Sequence, residues 1–159
     1  MFPWAIFIQK PKATTPREIM LERLVRRHAE ARPELNGIQS VFHDLRDDLI
    51  PHLMKEESIL FPYIEALEKH KLEGTPLPPA CFGIIDNPLR QMESEHAAVT
   101  GLLQRLRQAT SDYVPPADLC TSYRIALQAM ENLEADLLRH IQLENEVLFP
   151  RAREMASAD

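Results

Sequence analysis

Glycine is scarce in this chain, with only four among 159 residues. No run alternates β-branched with polar residues, so the sequence offers little from which to build strands, and it reads as helical throughout. Cysteine is almost as rare. Cys81 and Cys120 stand far apart and form no CxxC pair, which disfavours a disulfide framework and points to a reducing, cytoplasmic compartment. No apolar run approaches the roughly 20 residues of a membrane-spanning helix. The apolar opening, MFPWAIFIQK, is short and has neither a basic leader nor a small-residue cleavage site. It is expected to form an arm over residues 1–15, lying on the domain or on a partner subunit. Basic residues are outnumbered: 18 Lys and Arg against 24 Asp and Glu give a net charge of −6. That balance argues against non-specific nucleic-acid binding and against an anionic membrane surface.

What is present suits one globular domain with a full core, expected over residues 16–155. The first helix is expected to open at TTPREIM, with Thr15 as cap, Pro16 in the first helical position and Glu18 completing a capping box. Pro33 and then Asn36-Gly37 supply its stop signals. The second helix is expected from about Ile38 to Lys69, kinked or briefly broken near Pro51 and Pro62. A proline-rich connector, GTPLPPACFG, leads to a third helix with Asn87 capping and Pro88 just inside, running to about Gln108. After the loop TSDYVPPAD the last helix runs from about Asp118 to Arg153. The expected fold is all-α, an antiparallel up-down-up-down four-helix bundle built as two similar helical hairpins.

Two stretches share one frame: HLMKEESILFP at 52–62 and HIQLENEVLFP at 140–150. The helical stripes show why this matters. Leu21, Leu24, His28, Ala31 and Leu35 line one helix. Phe42, Leu45, Leu49, His52, Glu56 and Ile59 line the second, and Leu89, Met92, His96, Val99, Leu103 and Leu106 the third. The last carries Tyr123, Ala126, Met130, Leu133, Leu137, His140 and Glu144. Each inward stripe thus contains one histidine, and two add a glutamate one turn later. Residues four apart differ by about 40° in azimuth, so His52 with Glu56 and His140 with Glu144 share a direction. Glu57 and Asn145 lie about 140° away and are expected to point elsewhere. His43 falls on the opposite face, and His70 lies about 27 Å along the axis from His52.

Buried carboxylates without compensation are unfavourable by several kcal/mol or take up a proton. Four imidazoles and two carboxylates facing one centre need a common partner, and a pair of metal ions satisfies them. Imidazole with carboxylate suits iron, manganese or zinc better than magnesium or calcium. Glu93, one turn before His96, is expected to be solvated at the surface, the alternative being a place behind the ligands or a role as a gate, and packing at the end of the bundle is expected for Phe61 and Phe149.

The segments MESEHAAV, HLMKEESILFP and CTSYRIALQAMENLEADLLRHIQLENEVLFPRA resemble the hemerythrin-like domain of the RIC (repair of iron centres) proteins. The resemblance covers about Leu24 to Arg153. It implies a di-iron centre, oxo- or hydroxo-bridged, with His28, His52, His96 and His140 as terminal ligands and Glu56 and Glu144 as bridges. Oxygen-carrying hemerythrins use a histidine and an aspartate where this chain has Thr100 and Asn145, so both irons are expected to keep an open position. The family's small N-terminal domain with adjacent cysteines is not matched within these residues. The shorter separation of His28 from His52 implies a tighter first hairpin.

The implied role is a response to nitrosative and oxidative stress: a non-haem centre that reacts with nitric oxide, peroxide or oxygen and assists iron–sulfur cluster repair. Coupling of nitric oxide to nitrous oxide is the enzymatic form of that role. No flavin or nicotinamide fingerprint is present, so an external electron donor is expected, with damaged iron–sulfur proteins as candidate partners. The alternatives are an oxygen or nitric oxide binding or sensing protein without turnover, an iron donor to damaged clusters, and a purely structural bundle.

Overall fold

Scarce glycine and long amphipathic stripes translate directly into rods. The computed structural model describes residues 16–115 and 120–157, with side chains from residue 21 onward. The expected arm, the Thr15–Glu18 capping box and the expected start of the last helix near Asp118 lie outside what is described. Among the described residues there is no strand. The helices are α1 (Pro16–His28), α2 (Glu34–Lys55), α3 (Phe61–Glu73), α4 (Asp86–Ala109), α5 (Thr121–Leu143) and α6 (Phe149–Ser157). Two π-helical stretches, Glu56–Leu60 and Glu144–Leu148, join α2 to α3 and α5 to α6 without a break. The all-α class is as expected: counting each α–π–α run as one rod gives four rods along the described chain.

Several boundaries differ from expectation for local reasons. Asn36-Gly37 does not end α1; it lies inside the first turns of α2, which starts at Glu34 immediately after Pro33. Proline cannot continue a helix from the preceding residue but sits well just before or inside a new one. Pro51 lies inside α2 without interrupting it. The interruption near Pro62 takes the form of the first π stretch, in which the Phe61 N–H bonds to the Glu56 carbonyl five residues back. Pro150 is preceded in the same way, with the Phe149 N–H on the Glu144 carbonyl. The rod ends at Glu73 rather than Lys69, where Gly74 adopts φ +68° and closes the C-terminus through its N–H on His70 O. His70 Nδ1 donates to the Thr75 carbonyl at 2.6 Å. Asn87 is not the cap of α4: the helix begins one residue earlier, and Asn87 Nδ2 donates back to Phe82 O at 3.0 Å.

The chain divides into two compact units, residues 1–43 with 105–132 and residues 44–104 with 133–159. Within the described part of the first, Leu21, Leu24, Leu35, Ile38, Phe42, Leu106, Tyr123, Ala126, Leu127 and Met130 are buried, and Thr110 is the buried polar residue. Within the second, an apolar core of Leu45, Leu60, Phe61, Ile64, Leu67, Leu89, Met92, Val99, Leu103, Phe149 and Ala152 surrounds His52, Glu56, His96, Glu134 and Glu144. Two stripe residues leave the core, and the first is Ala31, exposed in the turn after α1. Ile59 is 45 % exposed and Leu60 takes the inward place, because a π stretch inserts one residue and rotates the turns beyond it. Leu133 and Leu137 are half-buried.

Candidate metal centre

The second unit brings together the two repeated frames and the middle of α4. His52 sits near the end of α2, and Glu56 opens the first π stretch one turn on. His140 sits near the end of α5, and Glu144 opens the second. His96 comes from α4. One ligand atom from each of His52, Glu56, His96 and Glu144 lies within 4.8 Å of the others, and all four residues are buried. His140 stands alongside, with Nε2 3.0 Å from Glu144 Oε1 and 3.7 Å from Glu56 Oε2. Its side chain is 24 % exposed, whereas that of His52 is 2 % exposed.

The two innermost imidazoles are oriented from behind. His52 Nδ1 donates to Glu95 Oε2 at 2.9 Å, and His96 Nδ1 donates to Asn145 Oδ1 at 2.8 Å. With each Nδ1 committed outward, each Nε2 faces the centre, and the two Nε2 atoms stand only 3.2 Å apart. Two imidazole nitrogens at that distance need a proton or a cation between them. Neither oxygen of Glu56, nor Glu144 Oε2, nor His140 Nε2 has a hydrogen bond of acceptable geometry, although all are buried. Yet Glu56 Oε1 is 3.2 Å from His52 Nε2, and Glu144 Oε2 is 3.1 Å from His96 Nε2. These atoms converge on a point rather than pairing with one another, which is the arrangement a cation satisfies. The mixed imidazole and carboxylate donor set fits iron, manganese or zinc.

Electrostatics point the same way. Burial alone would raise the Glu56 carboxyl, but contacts with the His140, His52 and His96 imidazoles outweigh it and hold the group well below the usual carboxylate range. Burial would lower His96, yet Glu144, Glu56 and Asn145 push it up to about 9. Burial would likewise lower His140, and Glu144 and Glu56 push it up to about 10. Without metal, protons on the imidazoles supply the positive charge that the carboxylates require, and metal binding displaces them.

Of the expected ligands, the structure thus gathers His52, Glu56, His96 and Glu144 tightly, with His140 beside them. His28 belongs to the first unit, where its Nε2 lies 3.7 Å from Cys120 Sγ. Thr100 Oγ1 donates to the His96 carbonyl at 2.8 Å. Phe149 is fully buried and stacks on the His96 ring, with centroids 5.7 Å apart and planes 5° from parallel. Glu93 is not left to solvent: Arg153 grips it through Nη1 at 2.8 Å and Nη2 at 3.1 Å and also holds Asp86 through Nε at 2.8 Å.

Two residues at the centre escaped reading from the sequence. Asn145 was expected to point elsewhere because of its azimuth, and it stays out of the group of four. It reaches the side of His96 from a neighbouring rod. Glu95 reaches His52 from α4 in the same way. Spacing along one helix shows which residues share a face, but an acceptor behind an imidazole comes from a different helix. The one available signal was adjacency, since Glu95 precedes His96 and Asn145 follows Glu144.

Comparison with known proteins agrees with this geometry. Residues 17–152 match the family model described as the Hemerythrin HHE cation binding domain. The iron-sulfur cluster repair protein YtfE of Enterobacter sp. (strain 638) is 35% identical over 137 residues, covering 85% of this chain and 56% of that protein. YtfE proteins of Escherichia coli O1:K1 / APEC and of Escherichia fergusonii are 34% identical over 137 residues, with the same coverage. The chain therefore spans a little over half the length of these curated relatives. With both glutamates and three of the histidines gathered at a cation-shaped centre in the matched span, the chain belongs to the hemerythrin HHE cation-binding family, whose fold is a four-helix bundle.

Proposed function

We propose that the centre holds two iron ions, with Glu56 and Glu144 between them and His28, His52, His96 and His140 as terminal ligands, and that it serves iron–sulfur cluster repair under nitrosative or oxidative stress. The observation that carries this reading is the buried group of His52, Glu56, His96 and Glu144 with ligand atoms within 4.8 Å of one another, in which the oxygens of Glu56 and Oε2 of Glu144 have no hydrogen-bond partner. The names of the relatives support the repair role. Iron held there supplies positions open to nitric oxide, peroxide or oxygen, together with one-electron chemistry that an external donor sustains.

The chain's own residues have definable tasks in this role. Glu95 and Asn145 keep the Nδ1 proton of His52 and His96 on the outer side, leaving Nε2 free to coordinate. Phe149 closes one face of His96 and keeps water from it. Glu56 and Glu144 provide two oxygens each. His140 is the most exposed of the three clustered histidines, with its Nε2 buried and the rest of the ring partly in contact with solvent. That exposure favours a second reading, in which iron is released to a damaged cluster protein.

Metal analysis with a visible spectrum tests the centre. Two irons per chain are expected, and His140→Ala and Glu144→Ala should lose metal and the spectrum. Unchanged metal content in both variants sinks the reading. His28→Ala tests the fourth histidine separately, by a fall in stoichiometry. Nitrous oxide formed from nitric oxide under reductant marks turnover, whereas reversible binding marks a carrier or sensor. Restored activity of a damaged cluster enzyme, with iron lost readily to a chelator, marks donation.

A further inference from the structure

We propose that Glu95 is a positioning residue of the centre that makes His52 a stronger electron donor than His96, with Lys55 as its counterweight. This rests on the reading that the centre holds metal. The two inner imidazoles are alike in burial, each 2 % exposed, and both present Nε2 to the same point. They differ in what stands behind them. Behind His96 is the neutral amide of Asn145, and behind His52 is a carboxylate.

Glu95 is anchored through both oxygens. Oε2 accepts from His52 Nδ1, while Oε1 accepts from Lys55 Nζ and, at 2.8 Å, from Gln91 Nε2. The Glu95 carboxyl thus accepts from three donors, an ammonium, an amide and an imidazole, as a carboxylate does. A carboxylate on Nδ1–H sends electron density through the ring and raises the basicity of Nε2; an amide does so far less. Lys55, three residues after His52 on α2, draws part of that charge away. The position bound through His52 is therefore tuned by an ion pair, and the one bound through His96 by a dipole.

The test titrates the metal-free full-length chain with Co(II), followed by its visible bands, and measures the reduction potential of the iron-loaded protein. Glu95→Gln keeps an acceptor and removes the charge. It should weaken Co(II) binding by about tenfold or more and raise the potential. Lys55→Met and Asn145→Asp should each lower the potential, with the helical circular dichroism unchanged in every case. If Glu95→Gln does not fold, the half-exposed Lys55→Met decides, and an unshifted potential there overturns the proposal. Wild-type protein that takes up neither Co(II) nor iron overturns the centre and this proposal with it. Uptake by wild type, with unaltered affinity and potential in folded Glu95→Gln, overturns the role of Glu95 alone.

Discussion

The frames at 52–62 and 140–150 share a backbone but not an environment. Each carries histidine, glutamate one turn on, a π stretch opening at that glutamate, and a buried phenylalanine followed by proline. Each also turns a β-branched residue outward at the same register, Ile59 at 45 % and Val147 at 57 % exposure. The likeness ends at the side chains' neighbours. His52 is sealed and backed by Glu95, whereas His140 is partly open. Phe149 lies flat on His96. A local frame thus encodes direction and backbone form, and the same frame in two places yields one sealed histidine and one whose ring is partly exposed while its Nε2 stays buried.

The largest expected effect comes from what the frames have in common. Glu56→Ala and Glu144→Ala should each abolish metal uptake, as read by metal analysis. If only one does so, the frames are not equivalent as metal ligands. The π stretches come next. Deleting exposed Ser58 restores α-helical spacing while leaving the apolar stripes on both sides in register. This variant should keep its helical circular dichroism and lose most of its metal affinity; retained affinity would mean that the π stretch merely accommodates Pro62.

The buried phenylalanines of the two frames follow. Phe149→Ala should cost about 3–5 kcal/mol in urea unfolding, with Phe61→Ala near the low end of that span. Phe149→Leu, which removes the ring stacked on His96, should alter the visible bands of the Co(II)-loaded protein.

The smallest effect is the pH dependence of the metal-free protein. His96 and His140, raised from 6.5 to about 9 and about 10, contribute stability that is full below pH 6.5 and lost as the pH rises through those values. Glu56, held below its ordinary 4.5, contributes stability that is present above that value and lost as the pH falls. For these groups the metal-free protein should be most stable between about pH 4.5 and 6.5, measured by thermal melts. Metal-loaded protein should show the opposite trend above pH 6.5, because binding favours deprotonated imidazole. Identical profiles with and without metal would show that these imidazoles are not ligands.

The units extend the comparison. The described core of the first is apolar but for Thr110, whereas the second buries two histidines and three glutamates. The stripes made four of these five legible, because His52, Glu56, His96 and Glu144 each replace an apolar residue at helical spacing, whereas Glu134 is buried beside the half-buried stripe residue Leu133. The stripes failed at Ile59, where an extra residue in the π stretch broke the period that located it. They also failed at Glu93, whose exposed azimuth gave no hint of Arg153 reaching across from α6.

The sequence by itself determined the helices, the doubled frame and the inward direction of Glu56 and Glu144, because all of these follow from residue spacing along one rod. Only the tertiary structure decided which ring is sealed, which acceptor stands behind each imidazole and how the charges are balanced. Those depend on distances between side chains of different helices, and no periodicity within a single helix records them.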